Sequence, residues 1–261
     1  MNLEHIKQIT QYKKANDVLH ALSEGIVKIL DNKIIGIYLF GSLTYDDFNP
    51  KRSDIDLLVV IKENLSTEDL NQIKSFHFAI EEKHSEWKER IECSYTPISM
   101  FKHKEPVDLH RPYFGGGIFY PNATYGNEWL INNYLIYHHG ITLLGDDFKT
   151  LIDPIDIADV QQASIRDLFK EWEPKISDHE WLQNSHYQSY LVLNLCRILH
   201  TVLNGEASSK SISATWVIKQ FPEWTNLIQK AKEWEYGKDM NLQDETIEFI
   251  RFTIDKIKKI N

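Results

Sequence analysis

An α/β core followed by an all-helical half is the fold that this 261-residue sequence predicts, and three observations predict it. An apolar run of strand length ends at Phe40, and a second follows Ser53. A helical stretch at 66–83 separates strand-like segments, the alternation expected of an α/β core. After Asp153-Pro154 the apolar spacing becomes helical nearly throughout. The change of period near 150 sets the expected domains at 1–150 and 151–261.

Residues 3–30 carry Ile6, Ile9, Val18, Leu19, Leu22, Ile26, Val27 and Leu30 at mostly three- and four-residue spacings, which predicts one or two amphipathic helices. These lead into Ile34 to Phe40, a buried strand, after which Gly41-Ser42 lets the backbone turn where a larger residue would block a triphosphate. A second strand-like run, Ser53 to Val60, begins eleven residues after Ser42. Ser66 with Asp69 predicts a helix cap, followed by Leu70, Ile73, Phe76 and Ile80 on one face. Glu81, Glu82, Glu86 and Glu89 read as a solvated helix face. Between Arg90 and Tyr95 the chain alternates, with Ile91, Cys93 and Tyr95 set against Glu92 and Ser94.

From His103 to Asn127 the sequence is crowded with aromatics and with Pro106, Pro112, Gly115-Gly116-Gly117 and Pro121. This predicts an irregular segment, either an anchored surface loop or the wall of a substrate cleft. Trp129 to Gly140 reads as a helix and Ile141 to Leu144 as a short strand. Beyond 154, the sets Ile165, Leu168, Trp172; Leu191, Leu195, Ile198, Val202; and Ile247, Ile250, Ile254, Ile257 each recur along one face, as in a helical bundle.

The chemistry concentrates at Asp54 and Asp56. Two residues apart on a strand, their carboxylates share one face while Ile55 and Leu57 take the other. Like charges so placed repel unless a cation lies between them, and hard Mg²⁺ bridging carboxylates and substrate phosphates resolves the conflict.

The pattern of an apolar strand, Gly41-Ser42, and then Asp54-x-Asp56 flanked by apolar residues resembles the nucleotidyltransferase core of the DNA polymerase β superfamily. Further matches at Ile141 to Gly145, Asn194 to Leu199, Gly205 to Lys210 and Ala214-Thr215-Trp216 resemble the streptomycin and spectinomycin adenylyltransferases. The resemblance covers most of the chain. It implies a mixed-sheet core, a helical C-terminal domain, and transfer of AMP from ATP to a hydroxyl of an aminoglycoside or aminocyclitol. It also implies roles. Asp54 and Asp56 would hold Mg²⁺ with Glu92 as the third acid, Glu92 would be the general base, and Gly41 and Ser42 would receive the phosphates. Arg197, Lys210 and Tyr236 would reach ATP from the second domain. Trp172, Trp181, Tyr187 and Tyr190 lie where the family binds its antibiotic, although the Trp and Asp residues that hold streptomycin do not align clearly. Other acceptors of the same fold, a small metabolite, a protein or a tRNA, stay open, as does a non-catalytic nucleotide-binding module.

Composition narrows these choices. With 38 acidic against 29 basic residues, the net charge of −9 argues against a nucleic-acid partner and suits a cationic substrate. The start of the chain, Met1-Asn2-Leu3-Glu4-His5, does not read as a signal peptide, and no apolar run approaches the roughly 20 residues of a membrane span. A cytoplasmic monomer is the expectation. Cys93 and Cys196 form no paired motif and are expected as buried thiols, and the eleven histidines show no zinc-binding spacing.

Overall fold

Six strands and eight α-helices account for most of the computed structural model, which describes residues 3–45, 47–104 and 109–260. Pro106 and the Met1-Asn2 start, both used above, lie outside the described residues. By internal contacts the chain divides into two compact units. The first comprises Met1–Phe48, Ser53–Tyr125 and Leu135–Pro154; the second comprises Asn49–Arg52, Gly126–Tyr134 and Ile155–Asn261.

In the first unit, helix α1 (Lys13–Leu30) buries Val18, Leu19, Leu22, Ile26 and Leu30. Strand β1 (Ile34–Phe40) follows, then β2 (Ile55–Ile61), α2 (Thr67–Lys83) and β3 (Ile91–Pro97). The expected cap of α2 is present as a reciprocal box: the Asp69 N–H donates to Ser66 Oγ at 3.2 Å, and the Ser66 N–H donates to Asp69 Oδ2 at 3.0 Å. Strands β4 (His110–Gly115) and β5 (Ile118–Thr124), helix α3 (Glu128–His139), whose residues up to Tyr134 are assigned to the second unit, and strand β6 (Ile141–Leu144) complete the series. The sheet is mixed, in the order β5-β4-β3-β2-β1-β6, with β2 and β3 parallel and the remaining pairings antiparallel.

The two faces of this sheet differ in kind. Ile37, Leu39, Ile55, Leu57, Ile91, Cys93, Tyr95 and Phe114 enter one apolar core with residues of α1 and α2. On the opposite face Tyr38, Leu58 and Val60 pack with Ile136 and Phe148, while further along that face the side chains become polar. Within the first core, His77 of α2 is hydrogen-bonded through Nε2 to the Tyr95 hydroxyl at 2.7 Å and stacks on Phe114 at 4.4 Å. Complete burial pushes this imidazole down to about 3.

Two expectations need correction. The irregular segment 103–127 contains the β4–β5 hairpin, closed by Gly116 at φ +57° and Gly117 at φ +71°. Consecutive left-handed residues are what a two-residue hairpin turn demands. Pro112 sits where the β4–β5 register shifts, between Arg111 and Tyr113, and Pro121 is on the edge strand; both are places where a missing N–H is tolerated. Nor is Glu81 solvated. It is 5 % exposed, and its Oε1 accepts the Glu89 N–H at 2.8 Å.

The second unit is built around α5 (Ser185–Leu199), against which α6 (Lys210–Gln220), α7 (Thr225–Glu233) and α8 (Gln243–Lys258) pack. Leu191, Val192, Leu195, Cys196 and Leu199 supply its inward face. Asn184 caps α5 by accepting the His186 N–H at 2.9 Å, and Ser209 caps α6 by accepting the Ile212 N–H at 3.2 Å. Helix α4 (Ile157–Asp167) runs on into a π-helical turn, Leu168–Trp172. Cys93 and Cys196 are both buried and free, and burial pushes both thiols up. Among the described residues no helix is long and apolar enough to cross a membrane.

Candidate active site

The polar part of the sheet begins where β1 stops. Phe40 is extended and pairs with Asp56; Gly41 then turns the chain at φ +73° into a short 3₁₀ turn, Gly41–Thr44. Thr44 Oγ1 donates to the Gly41 carbonyl at 2.9 Å, the Asp47 N–H donates to the Ser42 carbonyl at 3.2 Å, and Leu43 is buried beneath. A Cβ on residue 41 would collide with the Asp56 carboxylate. Both the backbone conformation and the space therefore require glycine.

Asp56 and Glu92 are partners across the parallel β2–β3 ladder. Ile55, Leu57, Ile91 and Cys93 point into the core, so Asp54, Asp56 and Glu92 share the other face, as the alternation predicts. Asp54, one residue before β2, has Oδ1 4.0 Å from Arg90 Nε, and the same Nε donates to the Ser53 carbonyl at 3.1 Å. Arg90 also lies over the Trp87 ring at 4.9 Å, so the guanidinium fastens the start of β2 to the loop before β3.

Sequence reasoning missed the residues that flank Glu92. Tyr113 faces Ser94 across the β3–β4 ladder, two residues along from Glu92 on the same face of the sheet. Burial first, then Glu92 and Asp56, hold the phenol far above its ordinary range, with Arg111 opposing. It keeps its proton and is a donor. Arg111, 6 % exposed, lies beside it within a cluster of Ser94, Tyr113 and Tyr125. The period-2 pattern that exposes Glu92 and Ser94 could have pointed here, had β4 been recognised as their neighbour.

In the second unit, Lys210 opens α6 and places Nζ 4.4 Å from the Tyr190 ring. Tyr236 is 45 % exposed, with His186 at 5.2 Å and Trp234 at 5.0 Å between ring centroids. Arg197 is half-buried near Asp167, whose Oδ2 accepts the Trp172 Nε1–H at 2.6 Å. Burial, with Glu128 and Glu171 nearby, pushes the Asp167 carboxyl up to about 6, and Arg197 opposes the shift. Trp181 and Tyr187 stack at 4.6 Å, and Trp172 lies 5.9 Å from Tyr190. The structure thus gathers Gly41, Ser42, Asp54, Asp56 and Glu92 in the first unit, and Arg197, Lys210 and Tyr236 in the second.

Comparison with known proteins agrees with this division. A family profile for the nucleotidyltransferase domain matches residues 23–105, and one for the C-terminal domain of aminoglycoside adenylyltransferases matches residues 150–258. A spectinomycin 9-adenylyltransferase of Campylobacter jejuni is 28 % identical over 83 % of this chain and 83 % of its own. One from Enterococcus faecalis is 25 % identical, covering 97 % of this chain and 98 % of its own. In order along the chain, then, the matches are a nucleotidyltransferase domain and the C-terminal domain of aminoglycoside adenylyltransferases. A crystal structure of the spectinomycin adenyltransferase from Enterococcus, solved with ATP and spectinomycin, shares the fold at a TM-score of 0.72 and 20 % identity, covering 93 % of this chain and 98 % of that one. Asp54, Asp56 and Glu92 fall in the segment matched by the first profile, and Arg197, Lys210 and Tyr236 in that matched by the second.

Proposed function

We propose that this protein transfers the adenylyl group of ATP to a hydroxyl of spectinomycin or a closely related cationic aminocyclitol, and so confers resistance to it. The observation that carries this reading is the Asp56–Glu92 rung, with Asp54 on the same face and Gly41 turning beneath Asp56. The matched profiles supply the reaction class, and the names of the relatives supply the acceptor. The net charge of −9 suits an acceptor that brings ammonium groups and not a nucleic acid, and the enzyme would work as a cytoplasmic monomer.

Among the described residues no group of three or more histidine, cysteine, aspartate or glutamate side chains stands placed to hold a metal ion. Asp54 and Asp56, with Glu92 as the third acid, nevertheless bring only hard oxygen donors, which fits Mg²⁺ shared with nucleotide phosphates. When bound, that ion neutralises triphosphate charge and polarises the α-phosphorus. Gly41 and Ser42 receive the phosphates, with Ser42 and its N–H as donors. Arg197 and Lys210 add positive charge, and Tyr236 a surface for the base. Glu92 takes the proton of the acceptor hydroxyl as its oxygen bonds to the α-phosphorus. The α–β bridging bond breaks, and pyrophosphate leaves with the electron pair.

The test is an assay of purified protein with labelled ATP and MgCl₂ against spectinomycin, streptomycin, other aminoglycosides and lincosamides. Label should pass to spectinomycin with release of pyrophosphate; Asp54→Ala and Asp56→Ala should abolish transfer and Glu92→Gln should slow it by about 10²–10⁴-fold, all while melting normally. Label in a different acceptor would replace the substrate, and near-wild-type turnover in Asp54→Ala or Asp56→Ala would remove the metal assignment.

A further inference from the structure

Ser94 is the hub of a buried polar cluster beside the acidic face. Its Oγ accepts the Arg111 Nε–H at 3.0 Å and is hydrogen-bonded to Thr96 Oγ1 and to the Tyr125 hydroxyl, each at 3.0 Å. Arg111 Nη1 donates to the Thr124 carbonyl at 2.7 Å. The guanidinium lies 3.6 Å from the centre of the Tyr125 ring and 5.1 Å from that of Tyr113. Three strands thus contribute to one fixture: Ser94 and Thr96 from β3, Arg111 and Tyr113 from β4, Thr124 from β5, with Tyr125 just beyond. A planar guanidinium fixed at two nitrogens and stacked on a ring has little freedom.

Tyr113 joins this fixture to the acidic trio. Its ring meets Arg111, its backbone pairs with Ser94, and its side chain shares the face of the sheet on which Glu92 stands two residues along, within reach of the carboxylate. A carboxylate's terminal torsion is broad and roughly two-fold, so without an anchor Glu92 would sample many orientations. We propose that Tyr113 is a positioning residue for Glu92: its hydroxyl holds one carboxylate oxygen and leaves the other to meet the acceptor hydroxyl, while Arg111, clamped by Ser94 and Tyr125, fixes the Tyr113 ring. The inference rests on the reading of Glu92 as general base. It identifies a stiff support where loss of orientation, not loss of binding, costs rate.

A double-mutant cycle tests it. In the wild-type background Tyr113→Phe should lower kcat by about 10- to 100-fold, as misplacement of a catalytic group does. The KM values for ATP and acceptor should stay within about threefold. In the Glu92→Gln background, where little is left to position, the same substitution should change the residual rate by less than about threefold. Tyr125→Phe, which loosens Ser94 and Arg111 without touching Glu92, should show a smaller loss with the same dependence on Glu92, and it serves if Tyr113→Phe fails to fold. Equal losses in both backgrounds would mean a merely structural role and overturn the proposal, as would an unchanged kcat in Tyr113→Phe. Full activity in Glu92→Gln would instead overturn the base assignment itself.

Discussion

The Asp56 carboxylate occupies the space in which a Cβ on residue 41 would stand, so the turn after β1 and the acid on β2 fit together only when residue 41 is glycine. Gly41→Ala should therefore harm the site more than the fold. Its left-handed backbone costs an alanine roughly 1–2 kcal/mol, and the added methyl must displace Asp56. The expected result is a drop in turnover of at least about a hundredfold with a melting temperature lowered by only a few degrees. Turnover within threefold of wild type would show that Asp56 tolerates displacement.

The helical unit should serve the nucleotide. Lys210→Ala and Arg197→Ala should each weaken ATP binding in calorimetry by about tenfold or more, since on the proposed roles each would remove a charge-assisted contact to phosphate. The melting temperature of Lys210→Ala should fall by no more than a few degrees, a cation–π contact such as that with Tyr190 being worth about 0.5–2 kcal/mol. Undiminished ATP affinity in the double variant would assign these residues to the acceptor.

His77 should make stability fall with acid. Its folded value lies near 3, below the ordinary 6.5, because burial disfavours the charged ring. The unfolded chain therefore takes up a proton that the folded one refuses. Stability from this group is fully present above pH 6.5 and is lost as pH falls towards 3, by about 1.4 kcal/mol per pH unit. His77→Gln retains a polar partner for Tyr95 and should flatten the difference. Urea unfolding of both proteins at pH 7, 5.5 and 4.5 measures it; parallel curves would contradict it.

Asp167 should act in the opposite direction. Its folded value, about 6, exceeds the ordinary 3.8, so the folded state holds the proton more tightly. The contribution is fully present below pH 3.8 and is lost as pH rises through 6. Asp167→Asn retains an acceptor for the Trp172 N–H, and its stability relative to wild type should improve between pH 4 and pH 7. A relative stability unchanged across that range would show that Arg197 offsets the burial in full.

Much of the acidic face was legible because period-2 alternation reports which side of a strand is wet. Ile55 and Leu57 against Asp54 and Asp56, and Ile91 and Cys93 against Glu92, are local patterns that survive into the structure. The cap at Ser66 and Asp69 was legible for the same reason, being a contact three residues long. Arg111, Tyr113 and Tyr125 were not legible, because their partner Ser94 is 17 to 31 residues away and is reached only through strand register. Prolines and glycines concealed the hairpin that sets that register. His77 was hidden by its type: a histidine on a helix does not announce that its partner is a tyrosine on the strand that follows.

The lone parallel ladder among the described pairings has a bearing on biogenesis. Asp56 and Glu92 lie on facing rungs, yet a parallel pair cannot close through a tight turn, and α2 must first cross over between them. A growing polypeptide on the ribosome that has exposed β2 but not β3 carries one acid of the pair and none of the fixture that braces the other. On the roles proposed for Asp56 and Glu92, catalytic competence is withheld until the chain has emerged well past Tyr125, and a prematurely terminated product that ends in α2 would have no route to turnover.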